Sequence, residues 1–278
     1  MQVSVLSMVF MAISAIVSIG LPIALFIVLR KKFNGKFLPM IIGAAAFIVF
    51  ALVLESSVHY LVLNRFALRE KPLAYILYGI FMAGIFEETA RFISFKILLK
   101  RKYSGISTGL SYGIGHGGIE AVMLAGVSMI VSIVYGIMLN SGNIGAITGS
   151  LQGEGLEAVN TQLAALQTTA PYMFLVGGIE RIFAIAIQVS LSVIMFYSVF
   201  CRGKTWLFPV AILLHAAIDI PAAAFQSGVL GNVMVVEGIV FIGAAASAAL
   251  ALYIHKRLRE QLQNPHLEST TPPQAAGY

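Results

Sequence analysis

Seven apolar runs, each long enough to cross a lipid bilayer, constrain this 278-residue chain more than any other feature. They fall at about 4–29, 38–63, 73–99, 106–139, 171–200, 205–226 and 232–254. A spanning helix needs roughly 20 such residues. Within hydrocarbon every backbone polar group must be satisfied internally, which leaves helices or closed barrels, and these runs far exceed a barrel strand. Charged residues make up only 11% of the chain, against roughly 25% in a soluble domain. The expected fold is all-α: a polytopic transmembrane helix bundle of about seven spans, with eight as the upper count. The fourth run is long enough to tilt or to continue outside the membrane. The first lacks the early basic region of a signal peptide and is too long for a signal h-region, so it is read as a retained helix. Residues 1–260 are expected to form one membrane domain, and the polar, proline-containing stretch 261–278 a disordered cytoplasmic tail.

The net charge of +6 does not point to nucleic acid, because the basic residues sit in short clusters between apolar runs. Arg30, Lys31, Lys32, Lys36, Lys100, Arg101, Lys102, Arg202, Lys204, Lys256, Arg257 and Arg259 fall on one set of loops, and only Arg65, Arg69 and Lys71 on the other. By the positive-inside rule, the C-terminus is cytoplasmic and the N-terminus outside in a multi-pass protein of the cell membrane. The long loop at 140–170 is then external, with a short amphipathic helix expected near 154–167. The single cysteine, Cys201, rules out an intrachain disulfide.

Charges inside such runs are costly, roughly 2.5–3.5 kcal/mol each on insertion scales, and mark functional sites by default. The third run holds Glu87, Glu88 and Arg91, the fourth His116 and Glu120, and the sixth His215 and Asp219. Glu87 lies 13 residues before Lys100, His116 14 after Lys102, and His215 11 after Lys204. At 1.5 Å per residue, all three stand about 16–21 Å from the basic clusters, near mid-bilayer. Helical spacing lets Arg91 neutralise a carboxylate and gives each histidine an acidic neighbour at i+4. The glycines at 113, 115, 117 and 118 allow a second backbone, or a substrate, to approach His116. Polar glue between helices is the plain alternative; three clusters at one depth weigh against it. Glu180–Arg181 and Glu55/His59 lie nearer the outer ends of their runs, where structural or interfacial roles are expected.

A zinc protease built on H-E-x-x-H needs both histidines on one helix, and no such run occurs. No embedded serine motif stands beside either histidine, and Asp219 is the one intramembrane aspartate. A glutamate with two histidines remains. It can deprotonate a water for attack on a carbonyl, with a histidine stabilising the oxyanion. The same atoms of Glu87, His116 and His215 could ligate a divalent metal such as zinc, with an open water position.

The order E-E-x-x-R (87–91), a helix with His116, then H-x-x-x-D (215–219) resembles the superfamily of CAAX- and bacteriocin-processing proteases and PrsW-type proteases. In length, span pattern and the runs GIFEETARF and GHGGIEA, the chain is more similar to the YhfC family of intramembrane proteases. The resemblance implies a CAAX-protease-like core within 72–226 and hydrolysis of a membrane-associated protein or peptide. It also implies that Glu87 activates water with His116, that Glu88 and Arg91 support the site, and that His215 stabilises the oxyanion. PrsW-like proteins place a Glu in the second motif, and here either His116 or Glu120 could fill that role. CAAX proteases usually carry E-E-x-x-x-R and often end the last motif in Asn; Asp219, if ionised, would orient His215 rather than face an oxyanion. The other function classes are a proton-coupled transporter, which a site mostly in the cytoplasmic half argues against, and a non-catalytic scaffold or immunity protein.

Overall fold

A computed structural model describes residues 2–100 and 102–263. Seven helices among them are long and apolar enough to span a membrane: α1 (Val5–Phe33), α2 (Phe37–Leu63), α3 (Pro72–Leu99), α4 (Ser107–Asn140), α6 (Pro171–Phe200), α7 (Leu207–Gln226) and α8 (Val233–Leu262). Between α4 and α6 lies the shorter α5 (Gly153–Thr168), on the stretch where the sequence predicts an amphipathic helix. No strand occurs among the described residues. The chain is an all-α polytopic membrane protein. The last helix continues to Gln263, so the tail expected from 261 begins as helix, and its remainder lies outside the described residues.

Local chemistry sets the ends. The Ser4 hydroxyl caps α1 by accepting the Ser7 N–H at 3.0 Å, as short polar side chains do at an N-cap. The α1 C-terminus carries Arg30, Lys31 and Lys32, favourable at the negative end of the helix dipole, and stops at Asn34 in the left-handed conformation (φ 54°). Proline occupies the first turn of α3 and of α6, where its missing N–H costs nothing. Three helices loosen into π-helical turns: α2 at Ile48–Glu55, α3 at Ser94–Leu99 and α4 at Val122–Gly126.

Helix α6 is the axis of the bundle. Its most apolar window is 72% buried, against 22–33% for the other spans, and it packs against α1, α3, α4, α7 and α8. The exposed residues of the other helices are largely Ile, Leu, Val and Phe, as expected where lipid rather than water is the solvent. Helices α2 and α4 approach very closely. A Cβ on Gly115 would run into the Met40 carbonyl, and one on Gly43 into the Tyr112 carbonyl. On the opposite face of α4, a Cβ at Gly117 would stand 2.8 Å from Gln188 Cβ. The glycines around His116 therefore admit neighbouring helices rather than a substrate.

The half of the bundle near the basic loops holds a hydrophobic core that includes Phe95, Leu99, Tyr112, Phe196, Tyr197 and Leu207, beside an apolar cavity of about 610 Å³ that reaches Phe33, Ile106 and His255. At the other end, Val3 and Asn140 exchange two 2.8 Å hydrogen bonds, tying the start of α1 to the end of α4.

Candidate active site

Helices α3, α4 and α7 bring their polar residues to one place. Glu87 Oε2 accepts from His116 Nε2 at 2.9 Å and lies 3.9 Å from His215 Nε2. His215 Nδ1 donates to Glu88 Oε1 at 2.8 Å, which turns Nε2 toward Glu87 and toward Asp219 Oδ2, 3.4 Å away. Glu87, Glu88, Arg91, His116 and His215 are all buried. Phe47 meets the His116 ring edge-on, with centroids 5.2 Å apart, and Tyr112 stacks near it at 5.9 Å. Aromatic walls restrict the imidazole to one orientation.

Arg91 is completely buried and bridges the acidic pair: Nη1 donates to Glu88, and Nη2 reaches Glu87 Oε2 at 3.4 Å. The i+3 and i+4 spacings are used together, since the planar guanidinium offers donors in a fixed fork. Its other partner is Gln188 of α6, whose Oε1 accepts from Nη2. Gln188 Nε2 in turn donates to Glu87 Oε2 at 3.0 Å and to Glu120 Oε2 at 2.6 Å. A single amide thus joins Arg91, Glu87 and Glu120.

Sequence reasoning passed over Gln188 because it carries no charge. Its signal was an isolated amide in the apolar stretch Ile182–Val189, seven residues after Arg181 and therefore on nearly the same helix face.

Glu120 is not the partner of His116 expected from their i,i+4 spacing. It bonds Gln188 and, through Oε1, Arg181 Nη1 at 3.3 Å. His116 instead bonds Glu87 of α3, and its Nδ1 has no partner among the described residues. Arg181 also holds Glu180 at 2.5 Å despite their adjacency, because its side chain is long enough to turn back. In α2, Glu55 and His59 pair at 3.1 Å, and Tyr78 of α3 hydrogen-bonds the other ring nitrogen at 3.0 Å.

The open space beside this cluster is a cavity of about 470 Å³, lined in part by Glu55, His59, Glu120, Glu180, Arg181 and Asp219. Ala83, Glu120 and Asp219 each lie four residues from Glu87, His116 and His215, and all in the same direction, since α3 runs antiparallel to α4 and α7. The cavity floor is therefore about 6 Å, one helical turn, from the Glu87 level. It extends toward Leu63, Tyr75 and Gln226, at the ends of α2, α3 and α7 away from the basic loops. The sequence reading put the site mostly in the basic half; the open volume adjoining it lies in the other.

A divalent metal would need convergent donors with free lone pairs. Glu87 Oε2 instead faces three N–H donors, one of them a guanidinium. Among the described residues no group of three or more His, Cys, Asp or Glu side chains is arranged to hold an ion. As arranged, the cluster does not fit a resident metal.

Helical spans around a buried acid–histidine–arginine network define a polytopic membrane protein with an intramembrane polar centre. The family described as YhfC intramembrane metalloprotease matches residues 17–240, which contain every residue of the centre. The chain belongs to this family. It is 38% identical over 250 residues to the protein described as "Uncharacterized membrane protein YhfC" of Bacillus subtilis (strain 168), covering 88% of this chain and 95% of that one. No solved structure matches the chain.

Proposed function

We propose that the protein is an intramembrane endopeptidase that hydrolyses a peptide bond of a membrane-associated protein or peptide with water activated by Glu87. The observation that carries this reading is the convergence of Glu87, His116 and His215 from three helices, with Glu87 further held by Gln188 and His215 by Glu88. His116, Gln188 and Arg91 all meet Oε2, so Oε1 is the atom assigned as the base. Oε1 takes a proton from water as the water oxygen attacks the carbonyl carbon. When the tetrahedral intermediate collapses, the C–N bond breaks and the same proton passes to the leaving amine. His215, anchored through Nδ1–H to Glu88, presents Nε2 toward the reacting side. As an imidazolium it donates there to the developing oxyanion. Asp219 orients it.

No step is routed through a metal. The family's description as a metalloprotease is set against a cluster whose central oxygen is already saturated with donors. Likeness to CAAX- and PrsW-type enzymes supports the peptidase assignment through motif order alone. The polar cavity beside the centre opens away from the basic loops, while the basic half holds a packed aromatic core, and this arrangement favours a one-sided site over a transport path. Positive-inside counting supports a cytoplasmic C-terminus, so that the cavity faces outward.

The test is a comparison of membrane fractions from cells expressing the native chain or Glu87→Gln, with new N-termini labelled and identified. Peptide ends that appear with the native chain and vanish with a folded Glu87→Gln protein are expected. Identical sets of ends would overturn the reading.

A further inference from the structure

We propose that the cavity between α2, α3, α4, α6 and α7 is the substrate-side subsite, and that it receives the segment flanking the scissile bond with a lysine or arginine side chain. The choice of a peptide as occupant rests on the peptidase reading; the route of access and the charge preference do not. Three features of the cavity argue for it.

The first is position. Glu120 and Asp219 form part of the cavity wall and contact the inner network, Glu120 through Gln188 and Asp219 through His215 Nε2. A chain lying in the cavity would therefore end one helical turn from Glu87. The second is shape. Gly79, Ala83, Ala222 and Ala223 line the cavity along α3 and α7 with minimal side chains, leaving width for an extended backbone. Its volume of about 470 Å³ is within the range of pockets that enclose small ligands.

The third is charge. Glu55, Glu120, Glu180 and Asp219 face Arg181 as the one arginine among the lining residues, a formal balance of −3 from four carboxylates and one guanidinium. Arg181 is shared by Glu120 and Glu180. Among the described residues, Glu55 and Asp219 are paired with histidines alone. In a site with low-dielectric walls such an imbalance attracts a cation strongly, and Glu180 and Asp219, with side chains 33% exposed, are placed to meet one.

Cys201 is the chain's one cysteine and is buried, so single-cysteine variants on a Cys201→Ser background report cleanly. In sealed vesicles of known orientation, Ala222→Cys and Gln226→Cys are expected to react with membrane-impermeant thiol reagents added to the face away from the basic loops. A Lys102→Cys control reacts from the opposite face. At Ala222→Cys a cationic methanethiosulfonate should react about tenfold faster than an anionic one, and Glu55→Gln with Glu180→Gln should reduce that ratio. An apolar peptide with one lysine should protect Ala222→Cys, and its glutamate counterpart should not.

Reaction of Gln226→Cys without Ala222→Cys, access only from the basic face, equal rates for the two reagents, or equal protection by both peptides would each overturn the proposal. Unchanged cleavage by Glu87→Gln alongside the expected labelling would remove the peptidase reading and leave a cation-selective cavity.

Discussion

His116 Nε2 meets Glu87 Oε2 at 2.9 Å, bridging two antiparallel helices through their side chains, although the sequence offers His116 a carboxylate of its own at Glu120. The two residues act on one atom, so their contributions to water activation are not independent. Removing either is expected to lower cleavage about 10²–10⁴-fold. The double variant Glu87→Gln/His116→Ala should be little worse than the more damaging single one, as for catalytic groups that work as a unit. Cleavage rates of the three variants in one membrane preparation check this, and simple multiplication of the two losses would contradict it.

Arg91 is the cation on which the acidic pair depends. Arg91→Met leaves Glu87 and Glu88 buried without their guanidinium and is expected to destabilise the bundle by about 3–5 kcal/mol. Arg91→Lys should rescue only part of this, because an ammonium cannot present two donors to Glu88 on one side and to Glu87 and Gln188 on the other. Thermal aggregation of detergent-solubilised protein gives the order: native, Lys, Met.

Gln188 uses both ends of its amide, so a substitute must supply a donor and an acceptor. Gln188→Leu matches its size and leaves Arg91, Glu87 and Glu120 each short of a bond, at about 1–3 kcal/mol for each buried group left unpaired. Gln188→Glu keeps the acceptor for Arg91 but opposes two carboxylates with a third, and is expected to be worse than Leu in cleavage. Equal activity of native, Leu and Glu forms would show that Gln188 is a bystander.

The helix approach at Gly115 is separable from the chemistry. Gly115→Ala drives a methyl group into the Met40 carbonyl of α2, whereas a Cβ on Gly79 meets nothing within 4 Å. The first should cost about 1–3 kcal/mol; the second should be near neutral. Melting temperatures of the two variants in the same detergent test the packing without reference to activity.

Metal removal distinguishes two catalytic types. With Glu87 Oε2 held by three N–H donors, purified protein is expected to carry less than one equivalent of zinc or other transition metal and to keep its cleavage after chelation. One equivalent of metal, lost together with activity on chelation and restored by zinc, would overturn the metal-free mechanism.

The spans were legible in the sequence because hydrocarbon leaves the backbone no choice: a run of twenty or more apolar residues must be helical, and its ends are written in Pro72, Pro171, Asn34 and the basic clusters. The level of Glu87, His116 and His215 was legible too, because rise per residue converts counting into depth. Partners were legible only within a helix. Arg91 with Glu87 and Glu88, and His215 with Asp219, follow from i+3 and i+4 spacing.

Rotation of one helix against another decided everything else. Glycine faces draw α2 and α6 onto α4, and that packing turns His116 toward Glu87, sends Glu120 to Arg181, and places the neutral Gln188 at the centre of the charges. It also opens the cavity on the side away from the basic loops. The sequence by itself determined which residues fall in the apolar spans and at what level along each helix they stand. Only the tertiary structure decided which of them touch, because depth follows from one helix alone, whereas contact depends on the azimuth of two.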